Sequence, residues 1–360
     1  MKYFGMCTEV WDPGGWYGYG HYGPVGFCHR PPELNPRESF CVYATMTAML
    51  DQCRYERMLP MGSPSVFGVE FHKSNGKPIY ALWTIRGKRP VTLHIKSDTE
   101  TTITDCFGNR EEKRSTNRSL EIRLTSSPVY IEGIDSINKV VLGNPEYEDN
   151  PGKTELIVAL NSLDDWTQEK GAYEALEEVN RDAPLVAADL DLTIEQNKQL
   201  AHTSLSVGLP ETVNWHPIET PYTVLKRTDP ELQIPESASS IGAWVYGNSS
   251  WGRILFELVD ADSQRWLSAY SESTFIDFDG YRYIGLDLPR MPQGKRVAPT
   301  GFRFWVCDAN KDATKAEPKY PMTLTRLIFE TRSHTIRGGD IEAVPVPEYY
   351  VERIVYGLAD

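Results

Sequence analysis

Long apolar runs are missing from these 360 residues. No stretch reaches the roughly 18 consecutive apolar residues that cross a bilayer as a helix. The opening MKYFGMCTEVW has neither the apolar core nor the small-residue cleavage site of a secretory leader. Positive charge is short as well: 37 Lys and Arg against 50 Asp and Glu leave a formal charge of -13. Nucleic acid and anionic membrane both favour a positive surface, so neither is expected as a partner. The seven His lie too far apart for the compact metal-ligand signatures. The six Cys (Cys7, Cys28, Cys41, Cys53, Cys106 and Cys307) lack C-x-x-C spacing. Four of them fall within the first 53 residues, which permits a disulfide there without indicating one.

What is present is globular: 40% hydrophobic residues, 24% charged, and a generous nine Trp and 19 Tyr. The length allows two or three domains. Helix signals are few. In PPELNPRESFCVYATMTAMLDQCRYERML, Asn35 caps a helix, Pro36 fits its first turn and Glu38 completes a capping box. Phe40, Tyr43, Thr47, Leu50 and Arg54 trace its expected apolar face, widened by Met46, Met49 and Cys53.

From Ser65 the period shortens to that of strands. SVFGVEFHKSNGKPIYALWTI is a hairpin about Asn75-Gly76. PVTLHIKS, TTITDCFGN and SLEIRLTSSPVYIEGI continue the pattern, closing a β unit near Ile134. The connector GNPEYEDNPGK separates it from ELIVAL and a longer strand-rich region that reads as a sandwich. Within that region, helix and strand readings compete over YEALEEVNRDAPLVAADLDLTIEQNKQLA. The basic stretches TIRGKRP (Arg86, Lys88, Arg89) and REEKR (Arg110 to Arg114) read as solvated hairpin tips.

Glu9 stands out at the end of the opening strand, where an α/β barrel keeps its chemistry at the C-terminal rim. The loop behind it is dense in rings: Trp11, Trp16, Tyr17, Tyr19, His21 and Tyr22, with Asp12 as a hydroxyl acceptor. Flat aromatic rings pack against the C–H faces of sugars, and polar tips take the hydroxyls. The bland reading makes Glu9 a strand-end carboxylate and the rings a cover for the helix after Pro36. In IGAWVYG, Ile241, Ala243 and Val245 share a core face, while Trp244 and Tyr246 share the other, whose burial is open. Phe302, Phe304 and Val306 share a face in GFRFWVCD. Trp251 leaves the Asn248-Ser249-Ser250 turn and is the Trp expected to meet solvent and a sugar.

Several stretches resemble a known arrangement. GKPIYALWTIRGKRPVTL, then TDCFGN (Asp105, Phe107, Gly108, Asn109), then LTSSPVYIEGI (Pro128, Val129, Tyr130, Ile131) is similar to the β-sandwich that follows the (β/α)₈ barrel in clan A retaining glycoside hydrolases. CTEVW with its aromatic loop and capped helix resembles the last part of such a barrel, and Glu9 matches the position of the nucleophile. IGAWVYGNSSWGRILFELVDADSQRWLS and FDGYRYIGLDLP resemble jelly-roll modules attached to polysaccharide-degrading enzymes, which include sugar binders and structural units.

The resemblance implies residues 1–64 as a barrel remnant, 65–150 as an accessory sandwich and 151–360 as a jelly roll. The fold class is mainly β: two consecutive antiparallel β-sandwiches after a strand-loop-helix remnant. The implied function is the C-terminal part of a secreted or periplasmic glycoside hydrolase acting on polysaccharide. Most of the barrel, with the second carboxylate that retaining hydrolysis requires, is missing, so the remnant would pack against a missing N-terminal barrel. The alternative is a non-catalytic carbohydrate-binding or structural β-sandwich protein. No cofactor is expected. Jelly-roll modules often hold a structural calcium, for which Asp260, Asp262, Asp277, Asp279 and Asp287 offer oxygen ligands. The D-A-D spacing is short, however, and turn chemistry accounts for most of these residues.

Overall fold

Apolar–polar alternation dominates the chain after Ser65, and it folds as strands. The computed structural model describes residues 36, 38–63, 65–147, 151–179, 185–197, 202–210, 220–228, 232–268, 274–289, 304–306, 318–331, 334–335, 344–345 and 348–358. It is mostly β, in several sheets that are antiparallel apart from one short pairing. The chain divides into two compact units, residues 1–62 with 66–146, and residues 63–65 with 147–360.

In the first unit α1 (Glu38–Leu50) precedes β1 (Arg54–Met58), β2 (Val66–His72), β3 (Pro78–Thr84), β4 (Arg89–Ile95) and β5 (Glu100–Thr104). Then come β6 (Arg110–Arg114), β7 (Ser119–Leu124), β8 (Val129–Glu132) and β9 (Ile137–Leu142). They form a six-stranded sheet, β1-β2-β3-β8-β5-β6, and a three-stranded sheet, β7-β4-β9. Alternation decides the core between them: Tyr80, Leu82 and Ile131 of the larger sheet meet Val91, Leu93, Leu120 and Leu124 of the smaller. The Asn75-Gly76 hairpin forms as read, with Gly76 at φ 79° and its N–H donating to Lys73 O at 2.8 Å.

The D-x-F-G-N stretch closes the β5–β6 hairpin. Asp105 Oδ1 accepts the N–H groups of Phe107 (2.8 Å) and Asn109 (2.9 Å), and Asn109 Nδ2 donates to Oδ2 at 2.7 Å. Burial pushes the Asp105 carboxyl up, but these hydrogen bonds outweigh it and hold the group below its usual range.

Three local expectations are corrected. The helix begins at Glu38, and its packing stripe is Met46, Met49, Leu50 and Cys53 against Ile79, Ala81 and Tyr130 on the outer face of the larger sheet. Phe40 (44% exposed) and Tyr43 (36%) lie off that stripe, because the sheet side chains that α1 can meet select its other edge. REEKR is no hairpin tip but the edge strand β6, whose charges suit an edge that must not recruit further strands. Arg89 of TIRGKRP is buried, its Nε donating to Gly143 O at 2.7 Å.

The second unit opens with β10 (Thr154–Ala159), β11 (Trp166–Glu169), α2 (Glu174–Val179), β12 (Leu185–Ala187) and β13 (Asp191–Gln196). The contested stretch therefore holds a short helix and then strands. Next come β14 (Thr203–Gly208), β15 (Thr220–Arg227), β16 (Leu232–Ile234), β17 (Ala238–Asn248), β18 (Arg253–Val259) and β19 (Arg265–Ser268). The last are β20 (Asp279–Asp287), β21 (Phe304–Val306), β22 (Met322–Glu330), β23 (His334–Thr335), β24 (Val344–Pro345) and β25 (Tyr349–Leu358). A six-stranded sheet runs β13-β14-β25-β17-β20, with β10 also on β25. An eight-stranded sheet runs β11-β15-β22-β18-β19-β21, with β12 on β15 and β16 on β22.

The two sheets enclose one core. Ile241, Ala243, Val245, Val351 and Ile354 come from the first, and Ile254, Phe256, Leu258, Leu327 and Phe329 from the second. Phe304 joins them, 1% exposed, as alternation required. The eight-stranded sheet is covered on its far face too: Tyr222, Val224, Leu255, Leu267 and Ile328 pack under Ala175 and Leu176 of α2. Strands covered on both faces are buried without alternation, as β15 is from Thr220 to Leu225 and β18 from Arg253 to Leu258.

Candidate functional site

The outer face of the six-stranded sheet is paved with rings. Alternation sends Ile241, Ala243 and Val245 into the core, so Trp244 and Tyr246 of β17 stand outward and half-buried. On β20, Tyr283 pairs with Trp244 and Tyr281 with Tyr246. Trp244 stacks diagonally on Tyr281 (centroids 5.1 Å apart, planes at 18°) and meets Tyr283 edge-on at 5.8 Å.

Two glycines let Tyr283 lie close to the sheet. Gly242 and Gly285 are a cross-strand pair on the same face, and a Cβ on either would come within 2.6 Å of the Tyr283 ring. Burial raises the Tyr283 hydroxyl above its usual range. The indole N–H of Trp244 has no hydrogen-bond partner among the described residues.

β25 supplies the charged groups by breaking its own alternation. Val245 pairs with Val351, but Trp244 pairs with Arg353, so Glu352 is an inserted residue. With Val351 and Ile354 both in the core, this bulge leaves Glu352 and Arg353 together on the outer face. Arg353 sits over the Trp244 ring at 5.6 Å, and its Nη1 lies 3.4 Å from Glu352 Oε1. Glu352 also accepts the Tyr281 hydroxyl and lies 2.7 Å from Nε2 of His202. One carboxylate thus holds a ring of the platform, a guanidinium and an imidazole. Farther along, Tyr350 donates to Glu348 at 3.1 Å; burial, with Glu195 and Glu348 nearby, pushes its hydroxyl up to about 12.

Of the residues singled out in the sequence, Glu9, Trp11, Asp12, Trp16, Tyr17, Tyr19, His21 and Tyr22 lie outside the described residues. Trp251 is half-buried between β17 and β18, at φ 61°, edge-on to Phe275 with centroids 6.0 Å apart. It belongs to neither strand of the platform. Glu352, Arg353 and His202 were not singled out. The bulge that brings Glu352 and Arg353 together shows only in the pairing of β25 with β17, and His202 comes from just before β14, distant in sequence.

Two of the Asp residues considered for calcium have their oxygens engaged by protein donors. Asp260 Oδ1 accepts the N–H groups of Asp262 (3.0 Å) and Gln264 (2.8 Å), and Oδ2 accepts the Trp266 indole N–H at 3.0 Å. Asp279 accepts the Ser249 hydroxyl at 2.7 Å. Among the described residues no group of three or more His, Cys, Asp or Glu converges as metal ligands.

No protein-family model matches the chain, and no curated protein matches it in sequence. Among solved structures it is similar to the family 11 carbohydrate-binding module of the cellulosomal cellulase Lic26A-Cel5E of Clostridium thermocellum. The identity is 11%, over 58% of this chain and 96% of that one, with a TM-score of 0.28. A second likeness is to the enzymatically active domain of tailspike protein 4 of bacteriophage CBA120, at 12% identity over 55% of this chain and 20% of that one, TM-score 0.25. Likenesses this distant assign neither a family nor an activity, and the site stands on its own geometry.

Proposed function

We propose that the second unit is a carbohydrate-binding β-sandwich with no catalytic role of its own. The observation that carries this reading is the Trp244–Tyr281 stack, tied through the Tyr281 hydroxyl to Glu352 and flanked by Arg353. Rings of this kind offer a flat apolar surface for sugar C–H groups. The carboxylate accepts hydroxyl protons, and the guanidinium donates to hydroxyl oxygens. The whole protein, on this reading, keeps a polysaccharide near a catalytic partner. The resemblance of the opening to the end of a barrel supports the catalytic barrel of a retaining glycoside hydrolase as that partner, with residues 1–64 as its C-terminal part and Glu9 as nucleophile.

The test is affinity electrophoresis of the full chain through gels containing neutral plant and algal polysaccharides. Retardation by at least one of them, lost in Trp244→Ala and Tyr281→Ala with the fold retained, supports the reading. Mobility unchanged by every polysaccharide leaves the structural role alone: a sandwich that braces its neighbour.

A further inference from the structure

β25 changes partners beside the platform. Tyr349, Tyr350 and Val351 pair with β14, whereas residues from Arg353 to Gly357 pair with β10. Both partners lie on the same edge of β25, since β17 occupies the other. The change falls at the Glu352–Arg353 bulge. It leaves a notch of about 460 Å³ lined by Leu156, Asn161, His202, Thr203, Glu352 and Arg353.

We propose that this notch is a further sugar subsite, continuous with the platform, and that its ligand is an uncharged glycan chain lying across β20, β17 and β25. The inference rests on the reading of the outer face as sugar-binding. Three observations carry it.

First, the notch and the platform share their polar groups. Glu352 takes the Tyr281 hydroxyl on the platform side and faces His202 on the notch side, and Arg353 lies over Trp244 while lining the notch. Second, the groups lining the notch have donors to spare. Arg353 carries five N–H donors, yet among the described residues only Glu352 and the Trp244 ring engage its guanidinium. The side chains of Arg353 and His202 are 41% and 55% exposed, open to an incoming hydroxyl. Leu156, 59% exposed, adds an apolar wall.

Third, the span suits a chain. Strands lie about 4.8 Å apart, so the distance from β20 to the notch beyond β25 is roughly 14 Å, room for linked rings in succession. Charge then selects among glycans. Glu195, Glu348 and Glu352 face outward here against the one guanidinium of Arg353, which Glu352 already compensates. A uronate or sulfate would meet these carboxylates, whereas a neutral hydroxyl-rich chain finds acceptors and donors together.

The experiment is titration calorimetry of the full chain with β-1,4-linked glucose, mannose and xylose oligomers, from disaccharide to hexasaccharide, and with oligogalacturonates of the same lengths. Affinity for one neutral series should rise by about ten-fold or more with length, which is about 1.4 kcal/mol. Thr203→Trp and Asn161→Trp, both at exposed positions, should abolish that rise while keeping the wild-type affinity for the short oligomer and the wild-type melting point. Trp244→Ala should weaken short and long oligomers alike. A flat length series in the wild type, or a rise that survives both notch substitutions, overturns the subsite. Tighter binding of oligogalacturonates overturns the uncharged ligand. Failure of every oligomer to bind the wild type overturns the sugar-binding reading of the face itself.

Discussion

Tyr283 owes its position to residues with no side chain. Gly242 and Gly285 clear the sheet beneath the Tyr283 ring, and an added Cβ at Gly242 would sit 2.3 Å from Ile284 O and 2.5 Å from that ring. Gly242→Ala is therefore expected to cost about 1–3 kcal/mol by overpacking and to tilt Tyr283 away from Trp244. A thermal melt with near-ultraviolet circular dichroism checks both effects. Glu352 is the other decisive residue. Glu352→Ala releases Tyr281 and Arg353 together and should lower glycan affinity by about ten-fold, in the range seen for well-packed interface positions. Glu352→Gln keeps an acceptor for the Tyr281 hydroxyl and should fall between, as calorimetry would show.

Among the elements, β17 was the most legible. Its alternation fixed Ile241, Ala243 and Val245 as core. The side holding Trp244 stayed unassigned because what adjoins it comes from β20 and β25, distant in sequence. β25 hid its bulge for a related reason. One inserted residue changes the face of the following side chains, and only pairing with β17 identifies Glu352 as that residue. The α1 helix was legible as a helix but not in its packing stripe, since Met46 and Phe40 are both apolar and only the sheet distinguishes them.

On the eight-stranded sheet, the covered face carries a polar cluster. Glu257, fully buried, takes hydrogen bonds from Tyr173 and Arg326, and Arg326 Nε donates to Glu169 at 2.7 Å. The hydrogen bond from Arg326 lowers the Glu169 carboxyl below its usual range, against burial, with the charges of Arg326 and Lys226 adding to it. A depressed carboxyl stabilises the fold above its unfolded value of about 4.3, and that contribution is lost as pH falls through the lower folded value. Glu169→Gln should accordingly lower the melting temperature at neutral pH. The gap to wild type should narrow in acid, and a gap independent of pH would contradict the assignment.

For the whole molecule, composition and strand period were enough to read a mainly β chain, because short alternating segments have few other ways to bury their apolar faces. The site was not readable in the same way. Its rings come from β17 and β20 and its charges from β25, joined only by sheet order. The aromatic residues after Glu9 drew attention because they are adjacent in sequence, and they lie outside the described residues. Retaining hydrolysis needs two carboxylates about 5 Å apart, and the sequence MKYFGMCTEVW offers one. The purified chain should therefore show no glycosidase activity above a Glu9→Gln control. Hydrolysis lost in that variant would make this chain an enzyme in its own right.

The central claim is that the outer face around Trp244 binds carbohydrate, and comparing three single variants tests it most directly. Trp244→Ala, Trp251→Ala and Phe304→Ala are run by affinity electrophoresis and thermal melt beside the wild type. The account predicts that Trp244→Ala loses about 2 kcal/mol or more of affinity with the transition largely retained. Phe304→Ala, at a position 1% exposed in the core, should lose about 3–5 kcal/mol of stability while the folded fraction still binds. Trp251→Ala should bind as the wild type does. Undiminished retardation of Trp244→Ala, or a loss confined to Trp251→Ala, would contradict the account.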